Sequence, residues 1–489
     1  MRISILTLIL LTSLIGFAQK NPFTERDYWT NNPSIESIKA DMAKGHDISA
    51  LSSNSFDATT WAILSEVDDQ TILFLLEQKG NDANKLTHDG RTYLFWAAYK
   101  NNIKLMDHLL KNGAKTNLVD DHGNIVQTFA AGAGQKDPKL YAFMQKNNLP
   151  ITATNRNGAN VLLLLMPNLE KISEINFLID AGLDLKSTDH DGNNAFMYAV
   201  RKGNISLLKE LIQEGINPKV VNEKGENAIF MASYGARRHS NSIEVYRFLN
   251  KLNIEANISN SEKTTPLHNI ARGTKDTEIF DFFINKGVDV NQQNSKGQTA
   301  LMNASAYNDI SVVEYLLKKD AEINLANQNK KTALMLATQR NSAEVVKFLL
   351  EKDAKIDIKD KKGNTLVYYL IQAEGSKAFD KKYDLLVNKI NFKGLQANRN
   401  NLYHLAVEKK SEKLLDLAKK HQAKINQVNE DGLTPLHLAA MTAQNPEFIK
   451  AVLKHGAKLN IKTDFEESPY DLASQNELLK GQDLSFLKS

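Results

Sequence analysis

A period of about 33 residues runs through this 489-residue chain and limits it to one kind of fold. Gly90, Gly123, Gly158, Gly192, Gly225, Gly297, Gly363 and Gly432 each stand just before a short apolar segment. Lys263, Lys330, Arg399 and Glu466 occupy the equivalent places where glycine is replaced. The intervals between these anchors run from 33 to 38 residues, with a mean of about 34. Each repeat reads alike: a polar turn such as Asp189-His190-Asp191-Gly192, a short apolar helix, a polar break, then a second apolar helix. Ser342 to Leu350 is the clearest second helix, with Val345, Val346, Phe348, Leu349 and Leu350 at helical spacing. A unit of this size cannot bury two apolar stripes alone, so neighbours must stack on both sides. The expected fold class is all-α, an α-solenoid of about twelve helix-turn-helix repeats.

Local chemistry agrees with the period. Thr at a first-helix start can accept hydrogen bonds from exposed amides, and Pro at the first helical position gives up an N–H that has no helical partner. The anchor glycine suits a turn with positive φ. Small pairs such as Ala97-Ala98 and Ala439-Ala440 let first helices approach one another.

Thr434-Pro435-Leu436-His437-Leu438-Ala439-Ala440 and Thr265-Pro266-Leu267-His268 resemble the TPLHxAA signature of ankyrin repeats. Looser copies begin at Thr92, Thr299 and Thr332, and Lys318 to Asn324 resembles the family's LLxxGAxxN ending. The resemblance covers roughly residues 35 to 485. It implies antiparallel helix pairs with β-hairpin-like fingers, a structural hydrogen-bonding role for His404 and His437, and a partner protein met on the concave face. That face is built from finger tips and the exposed ends of first helices.

The chain divides into a signal peptide at 1–18, an N-terminal segment with a half-repeat cap at 19–56, a repeat array at 57–463 and a C-terminal capping repeat at 464–489. Met1-Arg2, the apolar run from Ile3 to Ile15 and the small residues of Gly16-Phe17-Ala18 have the layout of an export signal. The mature protein is expected to begin near Gln19 and to be periplasmic or extracellular, with no membrane span once the signal is removed. Ile35 to Ile48 reads as a lone second helix with its exit turn, and Glu477 to Leu487 as the last second helix. Insertions fall near Gly132 to Pro138, at Arg237, Arg238 and His239, and over Ala373 to Lys382, a polar stretch. They read as loops on one face, with recognition and simple loop drift both open.

Most chemistry-bearing patterns are missing. The chain contains no cysteine, which removes disulfides, Cys-ligated metals and thiol catalysis. It has no HExxH, GxSxG or phosphate-loop pattern. Asp189-His190-Asp191-Gly192 resembles the start of a calcium loop, but Tyr198 stands where the bidentate Glu is needed. Trp29, Trp61 and Trp96 read as core or cap packing. No enzyme activity and no cofactor are expected. A formal charge of +4 gives no case for nucleic acid.

A binding surface is what remains. The two positions after each Ala-Ala place include Tyr99, Lys100, Arg201, Lys202, Arg272, Tyr307, Gln339 and Arg340 as candidate contacts, and across eleven such pairs six residues are Lys or Arg and one, Glu408, is acidic. On a regular solenoid these equivalent positions should share one concave strip. The strip suits a partner protein with an acidic segment, and the protein itself is expected to be a monomer. A chaperone-like or protective accessory of an exported enzyme would use the same groove and is the alternative.

Overall fold

The computed structural model describes residues 21–236 and 239–488. The export segment expected at 1–18, together with Arg237 and Arg238, lies outside the described residues. Among these the chain is all-α, about twelve repeats of paired helices with no strand. An isolated bridge at Ala326–Thr332 is what the fingers show of β-pairing among the described residues, and a second bridge, Ala236–His239, lies in the inserted loop between the helices Ala228–Tyr234 and Ile243–Lys251. Contacts divide the chain into two compact bodies. The N-terminal body holds the described residues up to Ala199 and Ser206–Asn217. The C-terminal body holds Val200–Ile205 and the residues from Pro218 on.

Two successive repeats of the C-terminal body show how sequence makes the unit. Their first helices are Ala300–Tyr307 and Ala333–Arg340 and their second helices Ile310–Lys318 and Ala343–Glu351. Thr299 and Thr332 accept from the N–H groups of Met302 and Met335 at 3.2 and 3.4 Å, and Ser342 caps the Ala343–Glu351 helix. Almost every side chain of the first helices is buried, which is why they need Ala and Ser to pack against both neighbouring first helices. The second helices bury one stripe, Val312, Val313 and Leu316 or Val345, Val346 and Leu349. Each such side chain contributes about 1.5–3 kcal/mol of hydrophobic stabilisation.

Asparagines tie several repeats to the one before. The Asn308 amide donates to the carbonyls of Ala271 and Thr274 at 3.1 and 2.8 Å, and Asn341 does the same to Ser305 and Asn308 at 3.0 and 2.8 Å. These carbonyls lie at first-helix ends, where the helix offers no partner. A second set sits at the helix exits: Asn291 accepts from Glu322 N at 2.7 Å and donates to Asp320 O at 2.9 Å.

Three expectations are corrected. A short helix, Arg26–Thr30, packs against the first helix Ala58–Ser65, so the N-terminal cap is a shortened pair and not a lone second helix. Its Trp29 is fully buried, with Nε1 donating to Phe23 O at 3.0 Å. At the other end Glu477–Leu479 and Ser485–Leu487 are single 3₁₀ turns that bury Leu479 and Leu487, where a second helix was expected. The polar stretch Ala373 to Lys382 runs into the helix Phe379–Leu386, and Lys382 is 1% exposed. Its Nζ donates to Thr338 O at 2.9 Å, the carbonyl one period beyond the Ser305 oxygen that Asn341 holds. The ammonium does there what an asparagine amide does elsewhere, and burial pushes it down to about 8.

Candidate protein-binding surface

The finger turn is built by one residue. Asn327 Oδ1 accepts from Asn329 N and Lys331 N at 2.9 and 3.0 Å, and Asp360 Oδ1 accepts from Lys362 N and Asn364 N at 2.9 Å each. Asp189 uses its oxygens likewise, on Asp191 N, Asn193 N and the Tyr198 hydroxyl, so the calcium-loop resemblance is a finger turn. All twelve anchors have positive φ, including Lys263 at 57°, Lys330 at 55°, Arg399 at 53° and Glu466 at 61°. Glycine is required at Gly297 for a second reason: a Cβ there would lie 2.8 Å from the backbone nitrogen of Gln328 on the next finger.

Three histidines lock fingers to helices. His437 Nδ1 accepts from Thr434 N at 3.1 Å and its Nε2 donates to Ile461 O at 3.0 Å; His268 spans Thr265 N and Gln298 O in the same way. His404 does so between Asn401 N and Leu433 O. This arrangement requires the neutral ring, protonated on Nε2 alone. Burial lowers all three, and holds His404 at about 4.

The sequence-derived set separates into groups. In the N-terminal body Tyr99 stacks on Phe129 at 5.6 Å, and Lys100 is ion-paired with Glu66, so its charge is neutralised. Within the C-terminal body Arg201 donates to Gly235 O at 3.1 Å, Lys202 and His239 are exposed, and Gln339 is half-buried. Arg272, Tyr307 and Arg340 come together. The two guanidinium carbons lie 4.8 and 5.3 Å from the Tyr307 ring centroid, and Arg340 also donates to the Tyr307 hydroxyl. Tyr307 remains 45% exposed.

Charge pairing distinguishes this cluster from the second-helix side. There, cations of the same body meet carboxylates of neighbouring repeats: Arg247 with Glu278, Lys275 with Asp309 at 2.6 Å, Lys319 with Asp281 at 2.7 Å, and Lys413 with Asp380 at 2.6 Å. Arg272 and Arg340 have no carboxylate partner among the described residues. The net charge of +4 also hides an asymmetry. Residues 21–199 with 206–217 hold 17 Lys and Arg against 24 Asp and Glu, while 200–205 with 218–489 hold 42 against 33.

Further cations lie away from the Ala-Ala places. Lys263, Lys296, Lys330, Lys361 and Lys362 are exposed on four successive finger tips. Their signal in the sequence was the anchor itself, where Lys263 and Lys330 replace glycine.

Among the described residues no helix is long and apolar enough to cross a membrane. The chain is 24% identical over 218 residues to the phosphocholine transferase AnkX of Legionella pneumophila, covering 44% of this chain and 20% of that protein. It is 31% identical over 129 residues to the nuclear factor NF-kappa-B p105 subunit of Gallus gallus, covering 26% of this chain and 13% of that one. The chain thus spans a fifth or less of these two relatives. The human ASB11 ankyrin repeat domain aligns with 46% of this chain and 99% of its own, at 23% identity and a TM-score of 0.37. The family profile described as ankyrin repeats (3 copies) matches residues 162–260, 236–327, 267–362, 319–381 and 361–463, and the single ankyrin repeat profile matches 89–118. More than half of the sequence is covered by these matches, and the chain belongs to the ankyrin repeat family.

Proposed function

We propose that this protein is an exported, non-catalytic interaction scaffold that holds a partner protein against the first-helix ends of its C-terminal body. Ankyrin repeat domains generally mediate protein–protein interactions. The observation that carries the reading here is the Arg272–Tyr307–Arg340 cluster. Two unpaired guanidiniums and a half-exposed tyrosine on successive repeats are the residue types that dominate binding energy at interfaces. Their sign favours an acidic segment of the partner. Export rests on Met1 to Ala18 alone, whose basic start, apolar run and small-residue exit fit a cleaved signal.

Affinity capture with the tagged mature protein from its own envelope fraction tests both parts. A stoichiometric partner should be retained, and released as salt shortens the Debye length from about 10 Å toward 3 Å. The combined variant Arg272→Ala, Tyr307→Ala, Arg340→Ala should lose that partner while its melting temperature hardly moves, since exposed substitutions shift stability by about ±0.5 kcal/mol. Undiminished capture by this variant would overturn the surface, and an intact mass retaining Met1 would overturn export.

A further inference from the structure

The finger tips of four successive repeats form a second, independent pattern. Each tip is a four-residue turn: Asn260-Ser261-Glu262-Lys263, Asn294-Ser295-Lys296-Gly297, Asn327-Gln328-Asn329-Lys330 and Asp360-Lys361-Lys362-Gly363. The turns are fixed internally by the Asn or Asp side chain and fixed to one another by backbone. Ser295 N donates to Glu262 O at 2.7 Å, Gln328 N to Lys296 O at 3.0 Å, and Lys361 N to Asn329 O at 2.8 Å. One lysine thus recurs per repeat on a backbone that holds register, Lys263 and Lys330 at the fourth position of their turns and Lys296 and Lys362 at the third, an alternation of one residue that a flexible four-carbon stem spans. All four are exposed and none has an ion-pair partner among the described residues. Glu262 is the one exposed acid on these tips, Asp360 being buried within its own turn. Two of the four lysines occupy positive-φ anchors, a conformation costing an L side chain roughly 1–2 kcal/mol that glycine avoids.

We infer that this row reads an extended acidic protein segment with one carboxylate at every third residue, an inference that rests on the scaffold function proposed above and names its partner's chemistry. Adjacent repeats stack at the packing distance of helices, about 8–10 Å. A chain in the polyproline II conformation rises 3.1 Å per residue with 3 residues per turn, so every third side chain lies on one face about 9.3 Å apart. A β-strand fails this match because residues three apart face opposite ways. Glutamates three apart also oppose helix formation by like-charge repulsion, which keeps such a segment extended.

The test uses the full chain and three synthetic peptides of equal charge: four Glu at every third position, the same four Glu contiguous, and four Glu at heptad spacing in a helical host. Fluorescence anisotropy at low salt should show the every-third peptide binding about tenfold tighter than the contiguous one. The combined variant Lys263→Gln, Lys296→Gln, Lys330→Gln, Lys362→Gln, with unchanged circular dichroism, should abolish that advantage. Equal binding of the every-third and contiguous peptides, tighter binding of the heptad peptide or of a single-stranded DNA probe, or an unaffected quadruple variant overturns the inference. If both extended peptides bind equally and both are lost with the Arg272, Tyr307, Arg340 variant, the register fails while the surface stands. If no peptide binds, the acidic partner falls with it.

Discussion

The two bodies build their fingers on the same turn and use them differently. In the N-terminal body every anchor is glycine, at 90, 123, 158 and 192, and the tips carry Asp89, Asp121, His122, Arg156, His190 and Asp191. Asp89 is enclosed by His88, Arg91 and His122, whose charges and hydrogen bond outweigh its burial and lower it. In the C-terminal body four of eight anchors carry side chains, and the exposed lysines follow one another from repeat to repeat. What differs in the fingers is thus the residue at the anchor, where only the C-terminal body places side chains, although Asp89 on an N-terminal tip also has positive φ.

Acid should separate the bodies most. The TPLH histidine place is filled by Phe95, Thr128, Leu163 and Met197 in the N-terminal body, and by His268, His404 and His437 in three repeats of the other. With His404 lowered to about 4, the folded state binds fewer protons than the unfolded state between about pH 6.5 and 4. Its stabilisation is complete above pH 6.5 and falls by about 3 kcal/mol by pH 4. Hydrogen exchange at pH 7 and pH 4.5 should show the helices Pro266–Ile270, Leu402–Glu408 and Pro435–Thr442 opening first. Equal loss of protection in Tyr93–Tyr99 would break the comparison.

Lys382 gives a smaller effect of the same direction in an alkaline window, one group where acid acts on three histidines. Its folded value of about 8 lies below the ordinary value near 10.5, so the folded state again binds fewer protons, here between those two pH values. Stability should therefore rise with pH across that window, by about 3 kcal/mol. Denaturant titrations at pH 8 and pH 10.5 should show this rise in the wild type and its absence in Lys382→Met; a rise of the same size in the variant assigns it to other groups.

The smallest expected effect sharpens the contrast between anchors. Replacing Lys330 or Arg399 by Gly should raise stability by about 0.5 kcal/mol each, the relief of positive φ exceeding glycine's entropic cost. A loss of stability on thermal melting would show that those side chains pack.

The repeat fold was legible because its anchors, caps and Ala pairs are forced by backbone conformation and close packing, which leave the same residues at the same spacing. The cap helix Arg26–Thr30 was not, since five residues carry less than two turns of periodicity. Lys382 escaped because a lysine in a polar run signals surface, and only the missing bridging asparagine explains its burial. At the surface, Arg272, Tyr307 and Arg340 were visible as equivalent positions, whereas the neutralisation of Lys100 by Glu66 depends on a contact between repeats that spacing alone does not reveal. The tip lysines were hidden by their own place in the pattern, where they look like lapses from glycine.

The backbone hydrogen bonds that link the tips from Lys263 to Lys362 have an evolutionary consequence. They involve no side chain, so a duplication or loss of one whole period in this segment would rejoin the backbone ladder wherever the close approach seen at Gly297 is kept. Genetic change in this segment then proceeds in steps of one repeat. By the spacing that links repeats to an extended chain, each step lengthens or shortens the recognisable sequence by one triplet of residues.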